Sequence, residues 1–143
     1  MSKGLANHGL DHRPGGPDAS PLVYQIKVFT DIAAVAAGNG AFMWDAPVRM
    51  RLTSADAAVT TAGSSGSTVQ IRNVTKTTNM LTTAITINAG QYTSHAAGTT
   101  RSVPSSTANL ADQGDILAVD VSAAGSGSKG LLVTLMFVTL VAP

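Results

Sequence analysis

Cysteine is absent from the 143 residues. Disulfides and thiolate metal ligands are therefore excluded, and the redox compartment is left unmarked. Glutamate is absent too, and all eight acidic residues are Asp. Nine Lys and Arg against eight Asp leave a formal net charge of +1, too weak a field to gather nucleic acid or an anionic membrane, so neither is expected as a partner. Charged residues make up 12% of the chain, about half the usual share. Much of the surface is therefore expected to be covered by partners rather than kept in water by ions. With one Trp, two Tyr and three Phe, there is little aromatic surface for stacking on sugars or bases. No N-terminal apolar core marks a secretion signal. The longest apolar run, Gly130–Val141, falls short of the roughly 20 residues that a membrane-spanning helix needs. These absences predict a soluble chain with no targeting signal.

What is present divides into two unlike parts. Residues 1–21 hold three Pro and four Gly and almost no bulky apolar side chains. Such a segment gains too little from burial to offset its ordering entropy, and it reads as an extended N-terminal arm that orders only on a partner. Residues 22–143 are rich in Thr, Ser, Ala and Gly, and they read as one β domain long enough to bury a core.

Alternation of apolar and polar residues marks the strands. Leu22–Thr30 places Tyr24, Ile26 and Val28 on one side. Pro47–Thr53 places Val48, Met50 and Leu52 on one face and Arg49 and Arg51 on the other. Thr68–Asn73 alternates around Val69 and Ile71, Ala84–Ile87 around Ile85 and Ile87, and Ile116–Val121 around Leu117, Val119 and Val121. Asp31–Gly40 is Ala-rich and reads as at most a short helix stopped by Gly38-Asn39-Gly40. Ala41–Trp44 reads as a short strand or a buried corner. Residues Ser94–Ala108 are irregular. About eight strands at this spacing predict an all-β antiparallel sandwich or barrel. The inward set is Ile26, Val28, Met50, Leu52, Val69, Ile71, Ile85, Ile87, Leu117, Val119, Val121 and either Leu135 or its neighbours. The final strand is apolar on both faces, with Leu131, Val133, Leu135 and Phe137 on one and Leu132, Met136, Val138 and Leu140 on the other. One face of such a strand normally meets water, so either this strand is central and covered by another layer or, the favoured reading, its second row meets a second subunit.

Candidate chemistry is sparse. His8, Asp11 and His12 have residue types that bind zinc, but Gly9 and Pro14-Gly15-Gly16 oppose the helix that would place both histidines on one face. Solvated residues of a tether are the favoured reading, with a metal shared by three arms as the other; no cofactor is expected. Ser94 and His95 bring hydrolase residue types without a nucleophile motif, and no enzyme activity is expected. Asp112 and Asp115 read as turn formers around Gly114. Gly125–Gly130 lacks the ending of a phosphate loop and reads as a hairpin connection. Asn73-Val74-Thr75 is a glycosylation sequon without a secretion signal. Arg49, Arg51 and Arg72 are candidates for a basic stripe, read more readily as a solvated or inter-subunit polar face.

Ala84–Ser94, then Leu110–Val121, then Gly125-Ser126-Gly127 and Gly130–Phe137 follow one another in an order that resembles small jelly-roll domains of tailed-bacteriophage structural proteins. Such domains occur in head decoration (cement) proteins, head fibres and tail fibres. The segment His8–Asp18, with His8, His12, Gly15, Gly16 and Asp18 as its markers, is similar to one near the start of phage fibre and other virion domains. The resemblance implies an antiparallel jelly-roll β-sandwich and a homotrimer. The expected function is a capsid decoration protein on the outer surface of the virion head. Its partner would be the major capsid protein, held through an arm carrying His8, Asp11, His12, Arg13, Gly15, Gly16 and Asp18. The trimer interface is expected at Leu132, Met136, Val138 and Leu140. The alternative is a receptor- or carbohydrate-binding knob of a head or tail fibre.

Overall fold

The computed structural model describes residues 20–140. Within them every regular element is a strand: β1 (Pro21–Lys27), β2 (Gly38–Asp45), β3 (Met50–Thr61), β4 (Ser67–Asn73), β5 (Thr78–Asn79), β6 (Leu81–Thr83), β7 (Ile85–Ile87), β8 (Val103–Pro104), β9 (Leu110–Ala111), β10 (Ile116–Ala124) and β11 (Lys129–Thr139). One sheet runs β1-β11-β3-β9, and the other runs β2-β10-β4-β5 with β7 also on β4. A β6-β8 pair stands apart. All pairings are antiparallel.

The two sheets form a β-sandwich closed over one aliphatic core. Leu131, Val133, Leu135 and Phe137 of β11 meet Val69, Ile71, Ile85, Leu117, Val119 and Val121 from the other sheet in a single buried cluster. Of the predicted inward residues, only Val28 is half-buried, just beyond the end of β1; the rest are buried.

Several local expectations are corrected. Residues 31–40 contain no helix. Thr30–Ala33 closes as a turn, Ala33 N–H donating to Thr30 C=O at 2.9 Å, and Ala34 bridges to Lys129. Ala41–Trp44 is neither short nor a corner, because it lies within the eight-residue strand β2 at a sheet edge. Val48 precedes its strand and is exposed. That strand, β3, runs eight residues further than the Pro47–Thr53 alternation predicts, to Thr61. The register explains why. Leu52 pairs with Phe137 and Ser54 with Met136, so Thr53 is an extra residue, and its hydroxyl donates to the Met136 carbonyl at 3.0 Å. This bulge reverses the parity of alternation: Met50 and Leu52 point inward before it, Ala55, Ala57 and Val59 after it. Finally, Gly125–Gly130 is no hairpin. It carries the chain from β10 in one sheet to β11 in the other, through a turn in which Ser128 N–H donates to Gly125 C=O at 3.1 Å.

The core turns on Phe137, which is fully buried with its ring at right angles to Tyr24, centroids 5.7 Å apart. Phe137→Ala is expected to cost about 3–5 kcal/mol, read as a lower urea midpoint with an unchanged denaturant slope.

Candidate functional site

The outer face of the β1-β11-β3 sheet is built in rows that cross the three strands. From the Ser20 end, Pro21, Val138 and Arg51 form the first row and Val23, Met136 and Ser54 the second. Gln25, Thr134 and Asp56 form the third, and Lys27, Leu132 and Ala58 the fourth. β11 supplies the middle of every row, so a line of uncharged side chains runs up the centre of the face. Met136 is 41% exposed and its cross-strand neighbour Val23 is 52% exposed, while Leu132 and Val138 are half-buried. Three of the four residues expected at an interface therefore share this surface. Leu140 lies past the end of β11, where its N–H donates to the Arg49 carbonyl at 2.9 Å. It helps line a groove of about 420 Å³ with Val48, Arg49, Asp112 and Gln113.

Two exposed apolar side chains escape the sequence pattern. Val23 stands at the outward parity of β1, between Leu22 and Tyr24, which pack on the core; apolar residues at both parities were its only signal. Ile32 lies in the stretch that reads as a helix, and it is 86% exposed at a turn.

The charged residues occur as pairs rather than as a basic stripe. Arg72 Nε and Nη2 grip the Asp120 carboxylate at 2.5 and 3.1 Å on the β4–β10 sheet. Arg49 Nε meets Asp112 at 3.3 Å at the end of the sandwich, and Arg51 sits on the opposite sheet from Arg72. Beside Arg49, Lys76 Nζ lies 2.8 Å from Asp112 and 3.5 Å from Asp115. The Asp115 carboxylate also accepts from Asn73 Nδ2 and from the Asp112 N–H, both at 2.9 Å. Asp112 and Asp115 thus close the turn before β10, as expected of them. The sequon residue Asn73 is buried with its amide engaged in this corner.

Ser94 and His95 do come together with an aspartate, but not in the order that a nucleophile needs. Asp56 Oδ1 lies between them, accepting from Ser94 Oγ at 3.3 Å and lying 3.0 Å from His95 Nε2, with Arg101 Nη2 at 3.1 Å. Ser94 Oγ also accepts the Ala57 N–H. The hydroxyl therefore faces a carboxylate and a backbone amide, where a triad would place the imidazole against it. The cluster pins the loop after β7 to β3. Among the described residues, no three His or Asp side chains gather as a metal site. His8, Asp11, His12, Arg13, Gly15, Gly16 and Asp18 lie outside the described residues.

Comparison with models of protein families, with curated proteins and with solved structures gives no match to this chain.

The paired carboxylates make the fold's stability depend on pH in acid. At Asp120, burial pushes the carboxyl up, but hydrogen bonds from Arg72 and the Gly40 N–H, with the Arg72 charge, outweigh it and hold the group below 3.8. At Asp115, burial is likewise outweighed, by Asn73, the Asp112 N–H and Lys76. Asp112 is held low by its hydrogen bond to Lys76 and by that charge. A group depressed in the folded state lends stability that is complete above its unfolded value and is lost as the pH falls through its folded one. Urea midpoints are therefore expected to be flat from pH 8 to about 5, then to fall through the ordinary carboxylate range and below it. Asp120→Asn should lower the neutral-pH stability by roughly 1–3 kcal/mol and flatten the acid limb.

Proposed function

We propose that this sandwich is a jelly roll and that the chain is a structural protein of a bacteriophage virion. In this reading it is a capsid decoration protein that binds the major capsid protein on the outer surface of the icosahedral head as a homotrimer. The strand order supports the first part. β1 pairs with β11, β2 with β10, β3 with β9 and β4 with β7. That nesting is a long hairpin wound around the sandwich, the wrapping found in viral capsid and lectin domains. Together with the resemblance of Ala84–Phe137 to phage virion domains, it is the basis of the proposed assignment.

The observation that carries the structural role is the exposed Val23–Met136 pair with half-buried Leu132 and Val138 along the same strand. Monomeric proteins rarely leave such a surface in water, and here it occupies the middle of a wide sheet face. Leu132, Met136 and Val138 make the subunit contact, joined by Val23 and, at the groove end, by Leu140. The arm, residues 1–21 with His8, Asp11, His12, Arg13, Gly15, Gly16 and Asp18, reaches the shell. About twenty extended residues span roughly 65 Å, and three arms acting together gain avidity.

A second reading, the knob of a head or tail fibre that binds a receptor or carbohydrate, is favoured by one observation. Phe42, Trp44 and Tyr24 stand in a row at the β1/β2 side, with centroid spacings of 6.0 and 5.8 Å. Trp44 and Tyr24 are half-buried and pack on the core, so only Phe42 offers an open face.

Sedimentation of the full chain at micromolar concentration tests the oligomer, and a trimer is expected. Met136→Asp should shift it to monomers without lowering the monomer's own unfolding midpoint, because the side chain is exposed in the single chain but would bury a charge in the contact. Deleting residues 1–19 spares Ser20, whose carbonyl accepts the Thr139 N–H at 3.1 Å. The shortened protein should remain a trimer but fail to bind purified phage heads in a pelleting assay. Equal binding by both forms would move the assignment to the fibre knob.

A further inference from the structure

Asn39-Gly40 is the one Asn-Gly step among the six Asn of the sequence. Such a step closes on itself more readily than any other, because glycine puts no Cβ beside the backbone nitrogen that must approach the asparagine side chain. This one lies in β2, the edge strand of its sheet, and Asn39 is exposed. The pairing with β10 is interrupted there. Val119 pairs with Phe42 and Val121 with Gly38, so Asn39, Gly40 and Ala41 together face Asp120 alone. Gly40 has φ +67, the left-handed backbone of a bulge glycine. Its N–H donates to Asp120 Oδ1 at 2.7 Å, and Arg72 holds both oxygens of that carboxylate.

The Gly40 nitrogen is the reacting atom of that closure. It gives up its proton and attacks Asn39 Cγ. A C–N bond forms, the side-chain nitrogen leaves as ammonia, and a cyclic succinimide remains. Water opens the ring at either carbonyl and leaves an aspartyl or an isoaspartyl residue. One water enters, one ammonia leaves, and nothing is oxidised or reduced. The fold restrains the first step. The proton sits in a hydrogen bond to a carboxylate, and an anionic nitrogen would form against that negative charge. Burial raises the Asp120 carboxyl, but the hydrogen bonds from Arg72 and Gly40 outweigh it and hold the group low. Asp120 is therefore a poor base towards that proton.

We infer that Asn39-Gly40 is a site of self-modification, closing to a succinimide and opening to isoaspartate, and that the Arg72–Asp120 pair is the lock that sets its rate. The attacked carbon belongs to an exposed side chain, so the restraint falls on the nitrogen. Closure waits for the Gly40–Asp120 hydrogen bond to open, a local event at a sheet edge rather than unfolding of the core. The product does not relock. Either form places a new carboxylate beside Asp120, and isoaspartate also adds a carbon to the backbone of β2. The change is one-way, and it loosens the strand from which Trp44 packs against the core.

Ageing the full chain in mildly alkaline buffer, followed by peptide mapping with mass spectrometry and an isoaspartyl methyltransferase assay, tests the site. Asn39 is expected to convert in the folded protein about tenfold or more slowly than in guanidinium chloride, the size of one hydrogen bond to a charged group. That comparison needs no variant. Asp120→Asn keeps the shape of the side chain and removes its charge. It should bring the folded rate at Asn39 close to the unfolded one while Asn73, Asn79, Asn88 and Asn109 react as in the parent. Val133→Ala lowers stability in the other sheet and should leave the Asn39 rate at the parent's value. Equal rates in the folded and unfolded parent, or an Asp120→Asn rate equal to the parent's, would overturn the lock. Acceleration by Val133→Ala as large as by Asp120→Asn would do the same, since general destabilisation would then account for it. An Asp120→Asn protein in which Asn39 reacts no faster than the other four would overturn the site itself.

Discussion

The double pairing of β11 is the constraint on which the rest depends. Lys27 to Pro21 of β1 pair along one side of it and Met50 to Thr61 of β3 along the other. The strand is thereby held on both edges for almost its whole length, and its two faces are set by the pleat. The inner face, Leu131, Val133, Leu135 and Phe137, is fully buried and forms the floor of the core. The outer face is free to be polar at any of its positions, yet Leu132, Met136 and Val138 stand there with Thr134 the one hydroxyl among them. A one-residue slip would exchange the faces and leave four large side chains in water, so burial of the inner row fixes the register. The bulge at Thr53 serves the same end. It lets β3 follow β11 past Met136 while Ala55, Ala57 and Val59 turn to the core.

The choice of Asp over Glu fits this framework. Asp120 and Asp115 each bind a side chain and a backbone N–H at once, Arg72 with Gly40 and Asn73 with Asp112. A short carboxylate beside its own strand reaches such an amide with few rotors to freeze. The Arg72–Asp120 pair thereby ties β4 to β10, while Asp112 and Asp115 hold the turn before β10 to Lys76 and Asn73. Few charges remain for the sheet faces, which is the condition for an uncharged line on β11.

Strands with runs of bulky residues were legible in the sequence: β4, β7 and β10 fall where alternation places them, and β1 and β11 stand out as apolar runs at both parities. The second half of β3 was not, because Ser54–Ala58 carries small side chains and the bulge breaks the period that a reader counts. The crossing after β10 was hidden for another reason. Gly and Ser mark a turn, but a turn within one sheet and a turn between two use the same residues. In the candidate surface, Leu132, Met136 and Val138 were visible as a second apolar row. Val23 was masked by its apolar neighbours, and Ile32 by an Ala-rich context that favours helix. The Thr30–Ala33 turn exists because Gly130 and Thr60, far away in sequence, hold it down.

The two ends of β11 are fastened in different ways. At its start Gly130 N–H donates to the Ala33 carbonyl, and at its finish Thr139 N–H donates to the Ser20 carbonyl. Eleven residues of extended chain separate those ends by roughly 35 Å. Between them, backbone pairing with β1 and β3, more than any single side chain, holds the strand in place.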